Sequence, residues 1–241
     1  MDDSLVPPSD LMYLVAGDAD VEKFLRTGMV SRRDLEAALA RHGHSLGDFD
    51  RILDFGVGLG RVARHLGDVK SLAGCDVMPD LISWCQNAIP FGEYVVNDEF
   101  PPLPFSDGKF SLCFSHSVFT HLDVTHQDLW LQELFRVLRP GGLAVLSFNG
   151  NRPFQHYLES LRTAGAADRA VEHEADFERD GYKWITDDEW VNTSFPGWYH
   201  SMFHSPQYVL KHWARIMPVE SWMQQGNLGF QDTAVLRRGP E

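Results

Sequence analysis

The run Asp54-Phe55-Gly56-Val57-Gly58-Leu59-Gly60-Arg61 constrains this 241-residue chain more than any other stretch. It follows a short apolar segment, Arg51 to Phe55, that reads as a buried strand, and it precedes a predicted helix from Arg61 to Leu66. Glycines at alternate positions let the backbone pass close to a ligand, and a helix N-terminus behind them would offer free N–H groups to an anion. Asp76 closes a second strand, Ser71 to Cys75, 18 residues after Gly58. A carboxylate at that point suits the two hydroxyls of a ribose. Strand, turn, helix, strand and acid in this order predict the opening of an α/β sheet with a nucleoside site at its rim.

The alternation continues. Pro79 to Ile89 is a predicted helix with proline near its first turn, and Tyr94 to Val96 is a third strand. Ser106-Asp107-Gly108 turns the chain into a fourth, Phe110 to Ser115. Thr125 with Asp128 is the expected cap of a helix whose apolar stripe includes Leu131 and Leu134. That helix ends at Arg139-Pro140-Gly141-Gly142, and Leu143 to Phe148 is the fifth strand. From residue 150 to about 205 the alternation breaks into a polar, acidic and aromatic-rich insertion, within which Glu172 to Glu178 read as a solvated helix face. Ser205-Pro206 opens a helix to about Arg215, and Ile216 to Met223 and Gln231 to Leu236 are the last two strands.

Two helical patterns precede the first strand, one after Pro7-Pro8-Ser9 and one from Ser31 to Arg41, with Ser31 and Asp34 as its expected cap. Residues 1–50 are therefore read as a helical cover and residues 51–241 as the main domain, with 150–205 inserted on its acceptor side. The formal net charge of -13 disfavours a phosphate backbone or an anionic membrane as the partner and favours small-molecule or protein substrates. No apolar run approaches the roughly 20 residues that span a bilayer. Cys75, Cys85 and Cys113 are widely spaced and odd in number, so neither a disulfide framework nor a Cys-based metal site is expected, and the setting predicted is the cytoplasm. The oligomeric state, monomer or homodimer, is open at this level.

A nicotinamide dinucleotide fingerprint requires G-x-G-x-x-G, and here the spacing is G-x-G-x-G with Arg61 following, which demotes a nicotinamide-dependent reductase. The run from Arg51 to Phe148 instead resembles class I, Rossmann-like S-adenosylmethionine-dependent methyltransferases. The resemblance is carried by the glycine loop, the acid after the second strand, Leu103-Pro104-Phe105 with Asp107 and Phe110, and Leu134-Phe135-Arg136-Val137-Leu138-Arg139-Pro140-Gly141-Gly142. It implies a seven-stranded, mostly parallel sheet with helices on both faces and a reversed last strand, with S-adenosylmethionine over the carboxyl ends of the strands. It further implies that Asp54, Gly56 and Gly58 flank the methionine moiety, Asp76 the ribose, and Val77 with Asn97 or Asp98 the adenine, with Gly60, Arg61 and Ser115 also at the cofactor. Ser111 departs from the family's usual Asp, and Pro101-Pro102 is an insertion.

The resemblance also places His116 and His121 near the transferable methyl, where a base serves an acceptor that must lose a proton. In the insertion, Trp198, Tyr199, His200 and Phe203 suit an acceptor pocket, with Phe119 beside them and His204 as a further candidate base. His200 and His204 find no third ligand, so no metal is expected. Trp84, Trp130, Trp213 and Trp222 are assigned to core or interface. The reading is methyl transfer to a small molecule by in-line displacement, oxygen favoured over nitrogen or carbon because candidate bases are present. The alternative is an inactive subunit that binds the same cofactor.

Overall fold

Strands that are apolar on both faces need a layer of helices on each side, and the computed structural model, which describes residues 6–186 and 199–240, has that arrangement. β1 (Ile52–Phe55), β2 (Leu72–Asp76), β3 (Gly92–Val96), β4 (Phe110–Ser115) and β5 (Leu138–Phe148) run parallel, and the hairpin β8 (Val219–Asn227) and β9 (Gln231–Arg237) completes the sheet. Its order is β3-β2-β1-β4-β5-β9-β8, with β9 antiparallel to both neighbours, so the last strand is reversed as expected.

Successive side chains take opposite faces. Leu53, Cys113, Ala144, Leu146 and Leu236 enter one apolar layer; Ile52, Leu112, Leu143, Val145 and Val235 enter the other. The first is closed by α4 (Val124–Val137) and α7 (Pro206–His212), and the second by α3 (Pro79–Ala88) and α2 (Val21–Ala40). A short α1 (Ser9–Ala16) and α2 pack Met12 and Phe24 against Leu59 of the glycine loop and Leu81 of α3. The insertion is more regular than its composition suggests. α5 (Asn151–Thr163) and α6 (Ala167–Asp180) pack with a two-stranded ribbon, β6 (Tyr182–Ile185) and β7 (Ser201–His204), around Phe154, Phe177 and Phe203. No helix among the described residues is long and apolar enough to cross a membrane.

Four expectations are corrected. The helix expected from Arg61 to Leu66 is only a short 3-10 turn, Ala63–His65, so no helix N-terminus stands behind the glycines. α2 begins at Val21 under Asp20, whose carboxylate accepts the Lys23 N–H at 2.9 Å; Ser31 and Asp34 lie inside the helix and bond elsewhere. Asp123, rather than Thr125 with Asp128, caps α4 by accepting the His126 N–H at 2.8 Å. β5 starts at Leu138 and includes the Pro-Gly-Gly turn residues, because Leu138 pairs with Phe110 before a bulge. The Ser205 cap of α7 is as expected, its hydroxyl accepting the Tyr208 N–H at 3.1 Å.

Candidate active site

The strand order reverses between β1 and β4, and loops leaving opposite ways there open a crevice at the carboxyl ends of the strands. A cavity of about 360 Å³ lies at this point. It is reached by the end of β1 (Asp54), the glycine loop (Gly56, Gly58, Arg61), the ends of β2 and β3 (Asp76, Val77, Asn97) and the turn after β4 (His116, His121).

The loop is held by backbone rather than by a helix. The Gly56 and Val57 N–H groups donate to the Cys75 carbonyl at 2.9 and 3.0 Å, and the Gly58 N–H donates to Asp76 Oδ2 at 2.9 Å. Gly56 sits at φ +77, with the space where a Cβ would go taken by Val118 Cγ2 at 2.2 Å. Gly60 does not line the cavity: a Cβ there would meet Ile89 Cδ1 at 2.1 Å, so this glycine serves the packing of the loop on α3.

A buried acid, Asp54, and a largely buried guanidinium, Arg61, face the cavity without forming an ion pair with each other. The Asp54 carboxyl is pushed up to about 8, chiefly by burial and further by Asp76, while Arg61 pulls the other way. Burial also lowers Arg61, and the field of Asp54 opposes that shift. Among the described residues, the one hydrogen bond of the Arg61 guanidinium runs to a neutral oxygen, Ser31 Oγ at 3.3 Å. An anion and a cation held apart in this way are complementary to a zwitterion such as an α-amino acid.

Asp76 keeps its place at the rim. Its Oδ1 accepts the Met78 N–H at 3.0 Å, and burial raises its pKa against the pull of these backbone donors. Each carboxylate oxygen retains a second lone pair. Next to it, Asn97 is buried with its Oδ1 unpartnered and its Nδ2 donating to the Asp98 carbonyl at 2.8 Å. Of the two, Asn97 lines the cavity, and Asp98 is exposed outside it.

On the opposite wall stand His116, His121 and Tyr199. Tyr199 arrives there because the segment before β7 pairs with the turn after β4, the Met202 N–H donating to the Thr120 carbonyl at 2.8 Å. Its ring stacks on His121 at 4.1 Å. His121 Nδ1 lies 3.1 Å from the His200 carbonyl, which can only accept, so Nδ1 carries the hydrogen and Nε2 a lone pair. Burial brings His121 down to about 4 and His116 down to about 3, and both rings are neutral at pH 7. Neither His116 nitrogen has a well-formed hydrogen bond.

The other candidates lie elsewhere. His204 is fully buried in the main core, its Nε2 donating at 3.0 Å to Gln127 Oε1, which also accepts from Trp213 Nε1 at 3.1 Å. In extended chain, positions 200 and 204 stand about 13 Å apart along the backbone rather than one helical turn apart, and among the described residues no group of three or more potential metal ligands occurs. His200 contributes its carbonyl to His121 and turns its ring edge-on to Trp184, while Phe203 packs on Phe154 at 5.5 Å. Phe119 is core, 5.1 Å from Trp213, and Ser115 is fully buried beneath the cavity wall. Trp198 lies outside the described residues. Residues that the sequence did not single out complete the lining: Lys23, Phe24 and Thr27 from α2, Ser117 and Leu122 after β4, and Leu228 from the last hairpin. Trp130, assigned to the core, is both: it packs on Phe55 at 4.8 Å and touches the cavity.

The fold and this cavity together define an α/β nucleoside-binding domain with its ligand crevice at the strand-order reversal. A family model for the methyltransferase domain matches residues 53–146. An uncharacterized methyltransferase of Mycobacterium sp. (strain KMS) is 40% identical over 81 residues, 30% of this chain and 31% of that protein. The ubiquinone/menaquinone biosynthesis C-methyltransferase of Vibrio campbellii is 28% identical over 162 residues, 61% of this chain and 60% of that one. In shape, the magnesium protoporphyrin IX methyltransferase of Synechocystis PCC 6803, solved with S-adenosylhomocysteine bound, superposes with a TM-score of 0.62 at 15% identity, over 95% of this chain and 94% of that one. Residues 53–146 are thus similar to the methyltransferase domain, and the chain has the fold of class I S-adenosylmethionine-dependent methyltransferases. The matched stretch spans about a third of the length of the first curated relatives.

Proposed function

We propose that the chain binds S-adenosylmethionine in this cavity and transfers its methyl group to a hydroxyl of a small-molecule acceptor. The observation that carries the reading is the separated acid and guanidinium, Asp54 and Arg61, which face one cavity and have no ion-pair partner among the described residues. Asp54 accepts from the ammonium of the donor's amino-acid end and Arg61 donates to its carboxylate. Asp76 has lone pairs left for both ribose hydroxyls, and the unpartnered Asn97 Oδ1 accepts from the adenine amino group.

Bound there, the sulfonium supplies a methyl group already activated for direct displacement. The chain aligns the acceptor and removes its proton. His121 is the proton acceptor, because the His200 carbonyl fixes the Nδ1–H tautomer and so makes Nε2 the basic nitrogen of the ring. A base of low pKa suffices for a hydroxyl, whose proton becomes strongly acidic as the new C–O bond forms; a carbon acid would need a stronger base before attack. Val118, Leu122, Trp130 and Tyr199 keep that wall apolar, which suits a small acceptor and excludes water. The nicotinamide alternative loses its anion site, since the loop is followed by a 3-10 turn and not by a helix N-terminus.

Isothermal titration with S-adenosylmethionine, followed by an acceptor screen read by mass for a gain of one methyl, tests the proposal. Micromolar binding with turnover on a hydroxylated compound is expected. Binding without turnover on any acceptor would favour the inactive-subunit alternative, and no binding by folded protein would refute the reading.

A further inference from the structure

Resting on that donor reading, we propose that Ser31 and Asn227 are positioning residues for the donor's carboxylate: with Gln231 they form a relay of neutral hydrogen bonds that aims Arg61, making α2 and the β8–β9 hairpin parts of the donor site. The chain of bonds is directional. Arg61 donates to Ser31 Oγ at 3.3 Å, the Ser31 hydroxyl donates to Asn227 Oδ1 at 3.1 Å, and Asn227 Nδ2 donates to Gln231 Oε1 at 2.9 Å. The same Gln231 oxygen accepts from Ser147 at 3.0 Å and from Ser117 at 3.1 Å. Ser31 and Asn227 are both fully buried.

Every acceptor in the relay is neutral. A carboxylate in place of Ser31 would hold Arg61 more firmly but would neutralise it; a hydroxyl fixes the direction of the guanidinium and leaves its charge for a ligand. The backbone is shaped for this contact. Gly28 is the close-approach point of α2, where a Cβ would fall 2.0 Å from the Arg61 carbonyl oxygen, and Ser31 follows on the same helix face. Asp34, three residues further, accepts the Leu228 N–H at 2.7 Å. Two non-glycine residues on the cavity lining, Ser117 at φ 62 and Leu228 at φ 55, sit in the sparsely populated left-handed region. Both are held there by this docking edge or by its relay, the Ser117 N–H donating to Ser147 Oγ at 2.8 Å. Strained backbone that converges on one cavity marks a place where geometry is maintained against its local cost.

The test compares two ligands that differ at the amino-acid end. S-adenosylhomocysteine has it; 5′-methylthioadenosine keeps adenine, ribose and sulfur but lacks it. Ser31→Ala and Asn227→Ala are expected to weaken the first by about tenfold and the second by less than about twofold, as loss of one charge-assisted hydrogen bond requires. In an Arg61→Ala background, Ser31→Ala should have no further effect on S-adenosylhomocysteine, because the relay acts through that guanidinium. A purely structural serine would instead weaken both ligands equally and add to Arg61→Ala; either result, or unchanged affinity in folded Ser31→Ala, overturns the relay. If Asn227→Ala does not fold, Ser31→Ala and the double variant decide. Failure of the native protein to bind S-adenosylhomocysteine refutes the donor reading and the relay with it, whereas native binding with variants that do not discriminate the two ligands refutes the relay alone.

Discussion

Asp54→Asn separates the electrostatic reading of the site from a purely steric one. With its carboxyl near pKa 8, Asp54 is ionised in only about one free molecule in eleven at pH 7. Recruiting it to hold an ammonium requires loss of the proton, at a cost of RT ln 11, about 1.4 kcal/mol at that pH. The sign follows: binding favours the ionised form, so affinity rises with pH up to the free-state pKa. If the ligand draws the pKa below 6, S-adenosylhomocysteine should bind about ninefold tighter at pH 7 than at pH 6 and release about 0.9 proton at pH 7. Isothermal titration in two buffers of different ionisation enthalpy measures that proton directly. Asp54→Asn should abolish both the proton release and the pH dependence. Its net loss of affinity at pH 7 should be only about 0–2 kcal/mol, because a charge-assisted contact of about 1.5–3 kcal/mol disappears together with the deprotonation cost. Proton release that persists in Asp54→Asn, or its absence in the native protein, would refute the reasoning.

Other consequences are equally direct. Asp76→Ala should weaken S-adenosylhomocysteine by about 1–3 kcal/mol through loss of the ribose contacts, and 5′-methylthioadenosine by a similar amount, since both carry the sugar; unchanged titration isotherms would remove Asp76 from the site. His204→Ala should lower stability by about 2–4 kcal/mol in denaturant melts, because it leaves a buried void and removes the hydrogen bond to Gln127, whereas His121→Ala should lower turnover more than donor affinity. The reverse pattern would exchange their roles. Acid should destabilise the fold while its carboxylates are still ionised. His116, His121 and His204 have folded pKa values of about 3, 4 and 3, below the ordinary 6.5, so the stability they contribute is present above 6.5 and is lost as pH falls. From pH 6 to pH 5 each costs about 1.2 kcal/mol, Asp54 offsets about 1.3, and the net loss is about 2 kcal/mol; urea midpoints that stay level across that interval would contradict it.

Local pattern made the loop and its acid legible. Asp54 is the third residue of a strand of four, the glycines follow that strand at once, and the second strand is close in sequence, so Asp76 meets Gly58 by adjacency of β1 and β2. What was not legible depends on contacts between distant segments. Ser31 and Asp34 fit a helix cap as well as they fit a docking face, and only the approach of Gly28 to Arg61 tells these apart. His121 and His204 are alike in sequence, both in aromatic surroundings; the pairing of β6 with β7 turns one into the core, while the loop after β4 leaves the other at the cavity. Glycine-rich sequence after a strand likewise suggested a helix from Arg61. The packing of Gly60 on Ile89 and the early 3-10 turn replace it, so the anion site rests on a side chain, Arg61, and not on backbone dipoles.

A crystal structure of the native protein with S-adenosylhomocysteine examines this most directly. The ligand's ammonium should lie against the Asp54 carboxylate, its carboxylate against Arg61 and its ribose hydroxyls against Asp76. A nucleoside seated outside the cavity, or Asp54 and Arg61 closed on each other with the ligand's amino-acid end pointing away, would contradict the assignment.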